Sequence, residues 1–171
     1  MTLNYYLYEA QKGNAQAAFE AGRLMEADKY NPVLVQKQYR KAASMGYAPA
    51  QRWLGILALC NALIDEKSTI SSIHYNKSSS DAIDWFVKAS RNGDAVSSFI
   101  IGKCYQCGIG VEVNESEADR ILSEFADKIE LGMSIAIMMV FQGILQDNGN
   151  HFPPANSSAI VSVFNPEALA S

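Results

Sequence analysis

Four glycines recur along this chain at Gly13, Gly46, Gly93 and Gly132, each followed by the same pattern of small residues. Their spacings are 33, 47 and 39 residues, close enough to the roughly 34-residue period of helical hairpin repeats to constrain the fold more than any other feature. Two positions after each glycine stands Ala15, Ala48, Ala95 or Ser134; four positions after stands Ala17, Ala50, Ser97 or Ala136. Nine positions after, the first three copies carry Gly22, Gly55 and Gly102, where the loss of a side chain lets neighbouring helices approach backbone to backbone, and the fourth, degenerate copy has Phe141.

The segment from Asp81 to Ala118 is the best-preserved copy. Asp81 is placed to cap a helix whose apolar positions Ile83, Trp85, Phe86 and Ala89 recur at helical spacing, and Asn92-Gly93 ends it. A second helix follows from about Asp94 to Cys107, with small Ala95 and Ser97 and a packing face of Phe99, Ile100, Ile101 and Cys104. Gly108 and Gly110 stop it, with Val111 as an apolar plug for the turn. The same reading along the chain places helices at about Thr2–Lys12, Ala15–Asp28, Pro32–Ser44, Pro49–Ile64, Glu115–Glu130 and Ser134–Gln146. Pro32 after Asn31 is a favourable first helical residue. Residues 65–80, DEKSTISSIHYNKSSS, account for most of the long second spacing and read as an inserted surface loop.

Ala82-x-x-Trp85-x-x-Lys88-Ala89-x-x-x-Gly93-x-Ala95, followed by Gly102-x-x-Tyr105-x-x-Gly108-x-Gly110-Val111, resembles the Sel-one-like repeat, a relative of the tetratricopeptide repeat. The fold expected is therefore all-α: an α-solenoid of stacked antiparallel helical hairpins, roughly three and a half repeats over residues 1–146. The last 25 residues, 147–171, break with Asp147-Asn148-Gly149-Asn150 and Pro153-Pro154 and read as a capping helix or a tail laid over the end of the array.

Composition narrows the partners. With 49% apolar and 19% charged residues the chain has the balance of a soluble one-domain protein. The opening MTLNYYLYEAQKGN has neither the cationic start nor the apolar centre of a secretory signal. The longest apolar run, Met133 to Leu145, contains Gln142 and is short of the roughly 20 residues a membrane span needs. Both observations point to a cytoplasmic protein with no membrane partner. A net charge of −4 with scattered basic residues argues against nucleic acid.

Candidate chemistry is sparse. Cys104-x-x-Cys107 sits at a helix end with no strand before it, and Cys60 occupies the repeat position equivalent to Cys107, so all three thiols read as packing residues. A zinc site would need a second pair, so no metal is expected. His74 and His151 lie far apart in loops, and Glu112, Glu115, Glu117 and Asp119 surround a helix start, where they favour the helix dipole. Tyr5, Tyr6 and Tyr8 read as core and cap of the first helix. No phosphate loop or nucleophile elbow occurs, so neither a cofactor nor an enzymatic activity is expected.

What the family resemblance implies is binding through the concave face, at positions three before and one and four after each contact glycine. These are Phe19, Arg23 and Glu26 in the first copy, Arg52, Ile56 and Leu59 in the second, Phe99, Lys103 and Gln106 in the third, and Met138, Gln142 and Leu145 in the degenerate fourth. About half are expected to be exposed and the rest to pack between hairpins. The function expected is a non-enzymatic module, monomeric or weakly dimeric, that binds or sequesters a protein. Its specific form by family analogy is a bacterial immunity protein neutralising a cognate toxin or effector; the other form is a regulatory adaptor or chaperone subunit that uses residues 65–80.

Overall fold

The structure, a computed structural model, describes residues 2–65 and 72–129 together with Leu131, Ser134 and Ile137, with side chains 60–79 excepted. Seven α-helices follow one another among the described residues: α1 (Leu3–Gln11), α2 (Ala15–Ala27), α3 (Pro32–Ser44), α4 (Ala48–Asp65), α5 (Ser72–Arg91), α6 (Ala95–Cys107) and α7 (Glu115–Phe125), the last continued by a 3-10 turn at Ala126–Lys128. Each helix packs on the next in the chain, and no strand occurs among the described residues, so the chain is an all-α array of helical hairpins.

Local chemistry fixes the hairpin ends. Asn14, Asn31, Asp94 and Asn114 each turn a side-chain oxygen onto a backbone N–H of the first turn of α2, α3, α6 and α7, at 2.9–3.0 Å. The turn glycines Gly13, Gly46 and Gly93 have φ of +93°, +83° and +88°, a region that residues with a Cβ enter at a cost. Gly108 closes α6 in the left-handed backbone conformation, φ +70°, and at this cap a backbone N–H donates to the Cys104 carbonyl. Behind it Ile109 is the buried plug, while Val111 is only half-buried; the plug therefore sits two residues earlier than expected.

The contact glycines work differently from expectation. They receive a side chain of the following helix instead of a bare backbone: a Cβ on Gly22 would stand 2.9 Å from the Tyr39 ring, one on Gly55 2.7 Å from Phe86, and one on Gly102 2.9 Å from Leu122. Each ring or branched chain fills the notch that the missing side chain leaves, which sets the depth to which the second helix of a hairpin sinks onto the first. Tyr39 is fully buried there, with ring centroids 5.2 Å from Phe19 and 4.2 Å from Trp53. The core thus runs along the stack from Phe19 through Tyr39, Trp53 and Phe86 to Ile100 and Cys104.

Three element assignments need correction. Asp81 does not start a helix: α5 begins at Ser72, so residues 72–80 of the expected loop form its first turns. That stretch contains no Gly or Pro, and serine costs a helix only about 0.5 kcal/mol relative to alanine. The helix expected at 115–130 ends at Phe125 and tightens into the 3-10 turn. On α1, Tyr5 and Tyr8 are exposed instead of forming core, because Leu3, Leu7 and Ala10 are the residues that face the array; Tyr8 instead carries the Lys12 ammonium 4.1 Å from its ring centroid. Apart from Ser134 and Ile137, the last expected helix, 134–146, lies outside the described residues, as does the segment 147–171.

Candidate partner-binding face

The three described copies of the expected lining set separate into two groups. Phe19, Arg52, Ile56, Leu59 and Phe99 are buried, at 8% exposure or less, and these five sit where no partner reaches them. Their burial follows from the notch geometry: helices that lie close at Gly22, Gly55 and Gly102 enclose the positions immediately around those glycines. Arg23, Glu26, Lys103 and Gln106 remain accessible, and they are the positions one and four after the contact glycine in the first and third copies. Gln142, with Met138 and Leu145, lies outside the described residues.

The accessible four are held in place by neighbours. Glu26 accepts a 2.8 Å hydrogen bond from the Tyr39 hydroxyl, which would otherwise be a buried polar group in the aromatic stack. Burial pushes the Tyr39 phenol far above its ordinary value, and the Glu26 carboxylate beside it pushes in the same direction, so the group is a neutral donor at any physiological pH. Arg23 lies 3.4 Å from the Glu20 carboxylate on the same turn of α2. On α6 the Lys103 ammonium donates to Gln106 Oε1 at 2.5 Å. These polar groups at equivalent repeat positions are pre-positioned donors and acceptors rather than freely rotating chains, which lowers the entropy lost on binding.

Arg52 has a structural role that its sequence position did not reveal. Its Nη1 lies 2.5 Å from Asp94 Oδ1, and both side chains are only 10% exposed. Asp94 Oδ2 also accepts from the Ser97 N–H at 2.9 Å and from the Ser97 hydroxyl, so one carboxylate both caps α6 and pairs with α4. Alongside, Gln51 donates to the Ala43 carbonyl at 3.0 Å and accepts from Asn92 at 2.8 Å. The pairing partner is 42 residues away, so periodicity could mark the position but not the bond.

Of the thiols, Cys104 is fully buried and burial raises it far above its ordinary value, with Cys107 adding to the effect. Cys107 is half-buried and raised for the same reason, with Lys103 pulling the other way. Neither is a poised nucleophile or redox thiol. The side chains of Cys60, His74 and His151 lie outside those described. Among the described residues no helix is long and apolar enough to cross a membrane, and no group of three or more His, Cys, Asp or Glu is arranged to hold a metal ion.

No family model matches the sequence. The rat protein named DAP3-binding cell death enhancer 1 is 32% identical over 97 residues, which cover 57% of this chain and 16% of that protein. Its mouse counterpart is 30% identical over 105 residues, covering 61% of this chain and 18% of that protein. This chain therefore matches less than a fifth of either relative's length. Among solved structures, the crystal structure of a Sel1 repeat protein from Oxalobacter formigenes aligns over 95% of this chain and 75% of that one, at 21% identity and a TM-score of 0.36. The described residues form an all-α array of repeated helical hairpins.

Proposed function

We propose that the chain is a non-enzymatic protein–protein interaction module that holds a protein partner on the accessible side chains of α2 and α6. The observation that carries this reading is the pair Arg23 and Glu26 and the pair Lys103 and Gln106, equivalent repeat positions that stay accessible while the rest of each lining set is buried. A row of mixed charged and amide groups on rigid helices matches protein recognition better than it matches a reaction centre, which would need a nucleophile, a base and an orienting group together. The relatives support the same class, since each is named as binding DAP3.

The test is affinity capture with the tagged chain and with the double variant Arg23→Glu/Lys103→Glu. The wild type retains a partner that the variant loses at least tenfold, while the helical circular dichroism of the variant is unchanged. Equal retention by both removes α2 and α6 from the interface. The finer reading, an immunity protein whose partner is a cognate toxin, predicts that coexpression of this chain restores growth to cells making the captured partner. Retention lost only on altering residues 65–80 supports the adaptor reading, in which the extended ends of α4 and α5 make the contact.

A further inference from the structure

Helix α1 is the same repeat element as α3 and α5. Each ends two residues before a positive-φ glycine, and the residue after that glycine donates its N–H to the carbonyl of Glu9, Ala42 or Ala89, so the three helices share one register. In that register Thr2, Tyr6 and Glu9 stand where α3 has Val35, Tyr39 and Ala42 and where α5 has Ala82, Phe86 and Ala89. The six residues of α3 and α5 are at most 5% exposed. On α1 the same stripe is open: Thr2 is exposed, and Tyr6 and Glu9 are only half-buried.

What covers the stripe on α3 and α5 is the helix before each. Tyr39 fills the notch at Gly22 of α2, and Phe86 fills the notch at Gly55 of α4. Tyr6 is the equivalent ring, yet Gly22, Gly55 and Gly102 are already taken by Tyr39, Phe86 and Leu122. The two covered rings differ by one hydroxyl, and the helices that meet them differ to match. Tyr39 donates to Glu26, four residues after Gly22, at 2.8 Å; Phe86 has no hydroxyl, and buried Leu59 stands four residues after Gly55. Tyr6 carries the hydroxyl, so its complement is a helix of the first kind. Beside it the Glu9–Lys12 ion pair, at 3.2 Å, stands where Ala42 and Ala89 are buried in the array. An aromatic knob with a charged rim suits an interface that forms and separates.

We propose that the outer face of α1 docks a helix of a partner protein in the way α2 docks on α3. That helix carries a glycine against Tyr6, small residues five and seven positions before the glycine, and a carboxylate four positions after it to accept from the Tyr6 hydroxyl, the pattern of Ala15, Ala17, Gly22 and Glu26. A second copy of this chain does not offer such a helix among its described residues, because its contact glycines are filled. The inference goes beyond the interface proposed on α2 and α6 and uses none of its side chains.

The test titrates the isotopically labelled full chain with a capped peptide of residues 14–28, the α2 sequence freed from the fold, and follows amide and tyrosine-ring resonances. The peptide shifts Tyr6 and the amides of residues 2–12 saturably, with a Kd of about 1 mM or tighter. A Gly22→Leu peptide binds roughly tenfold more weakly, because the added side chain meets the Tyr6 ring. Tyr6→Phe in the chain, a change that keeps the ring, weakens binding of the parent peptide about threefold and improves binding of a Glu26→Leu peptide. Arg23→Glu/Lys103→Glu in the chain leaves the titration unchanged, so failure at α1 and failure of the α2–α6 interface are distinguishable. Shifts centred on α3 would mean that the peptide displaces the chain's own α2. That result, equal binding of the glycine and leucine peptides, indifference to Tyr6→Phe, or no saturable shift on α1 overturns the inference.

Discussion

Replacing Arg52 should unlatch neighbouring hairpins. Arg52 of α4 and Asp94 at the start of α6 meet at 2.5 Å with both side chains 10% exposed. Removing one partner of such a pair strands the other charge, at a cost of about 3–5 kcal/mol. Arg52→Met keeps most of the volume and the aliphatic packing while removing the charge. The stranded Asp94 still accepts from Ser97 N and Ser97 Oγ, so we expect the lower end, about 3 kcal/mol. That is a large share of the roughly 5–15 kcal/mol by which domains are stable. Asp94→Asn keeps the capping oxygen and strands Arg52 instead, with a similar loss of about 3 kcal/mol. In the double variant no unpaired charge remains, so most of the loss is recovered. Urea unfolding of the four proteins, followed by far-ultraviolet circular dichroism, gives the cycle. A coupling of about 2 kcal/mol or more is expected; a value under about 0.5 kcal/mol, as measured for exposed pairs, refutes the argument. By the same geometry Arg52→Glu would set a second carboxylate against Asp94 and destabilise the array rather than report on binding.

Four further outcomes follow from burial and exposure. Gly55→Ala should destabilise by about 1–3 kcal/mol, because the new Cβ stands 2.7 Å from the buried Phe86 ring and the crowding outweighs the roughly 1 kcal/mol gained in helix propensity. Adding Phe86→Leu should return part of that loss in thermal unfolding, and a Gly55→Ala chain more stable than the parent contradicts the notch. Alkylation mapped by peptide mass spectrometry should find Cys107 reacting slowly and Cys104 only in the unfolded chain; rapid labelling of native Cys104 contradicts its burial. Stability should decline as pH rises. Cys104 and Tyr39 stay protonated in the fold above their ordinary values of 9.0 and 10.0, so the unfolded chain releases protons first, and each group's contribution, full below those values, is lost above them. A flat pH dependence between about 8.5 and 11 contradicts this. Finally, Arg120→Ala should leave the thermal midpoint essentially unchanged, since Glu117 and Glu124 meet it on the exposed face of α7, and a clear drop in thermal unfolding contradicts this.

The hairpin array was readable in the sequence because its signals are local. Asn14, Asp94 and Asn114 cap through bonds that span three residues, and Gly13, Gly46 and Gly93 adopt the positive φ that only their own backbone needs. The alternation of small and apolar residues in α6 fixed a helix and its buried face before any partner was known. What periodicity could not supply was exposure at equivalent positions. Arg23 and Lys103 stay accessible while Ile56, at the same repeat position, is buried; and Arg52, at the position that holds buried Phe19 and Phe99, is a buried charge only because Asp94, 42 residues on, gives it a partner.

The start of α5 was likewise decided above the level of local signals. Serine-rich residues 72–80 are weak helix formers alone, yet α5 begins at Ser72. The sequence by itself thus determined which segments coil and where they turn, since capping, glycine conformation and apolar period act over a few residues. Only the tertiary structure decided which charges are covered, which rings fill which notches and that the Tyr6 stripe of α1 stays open. Those outcomes depend on contacts between helices tens of residues apart, whose energy no short stretch of chain contains.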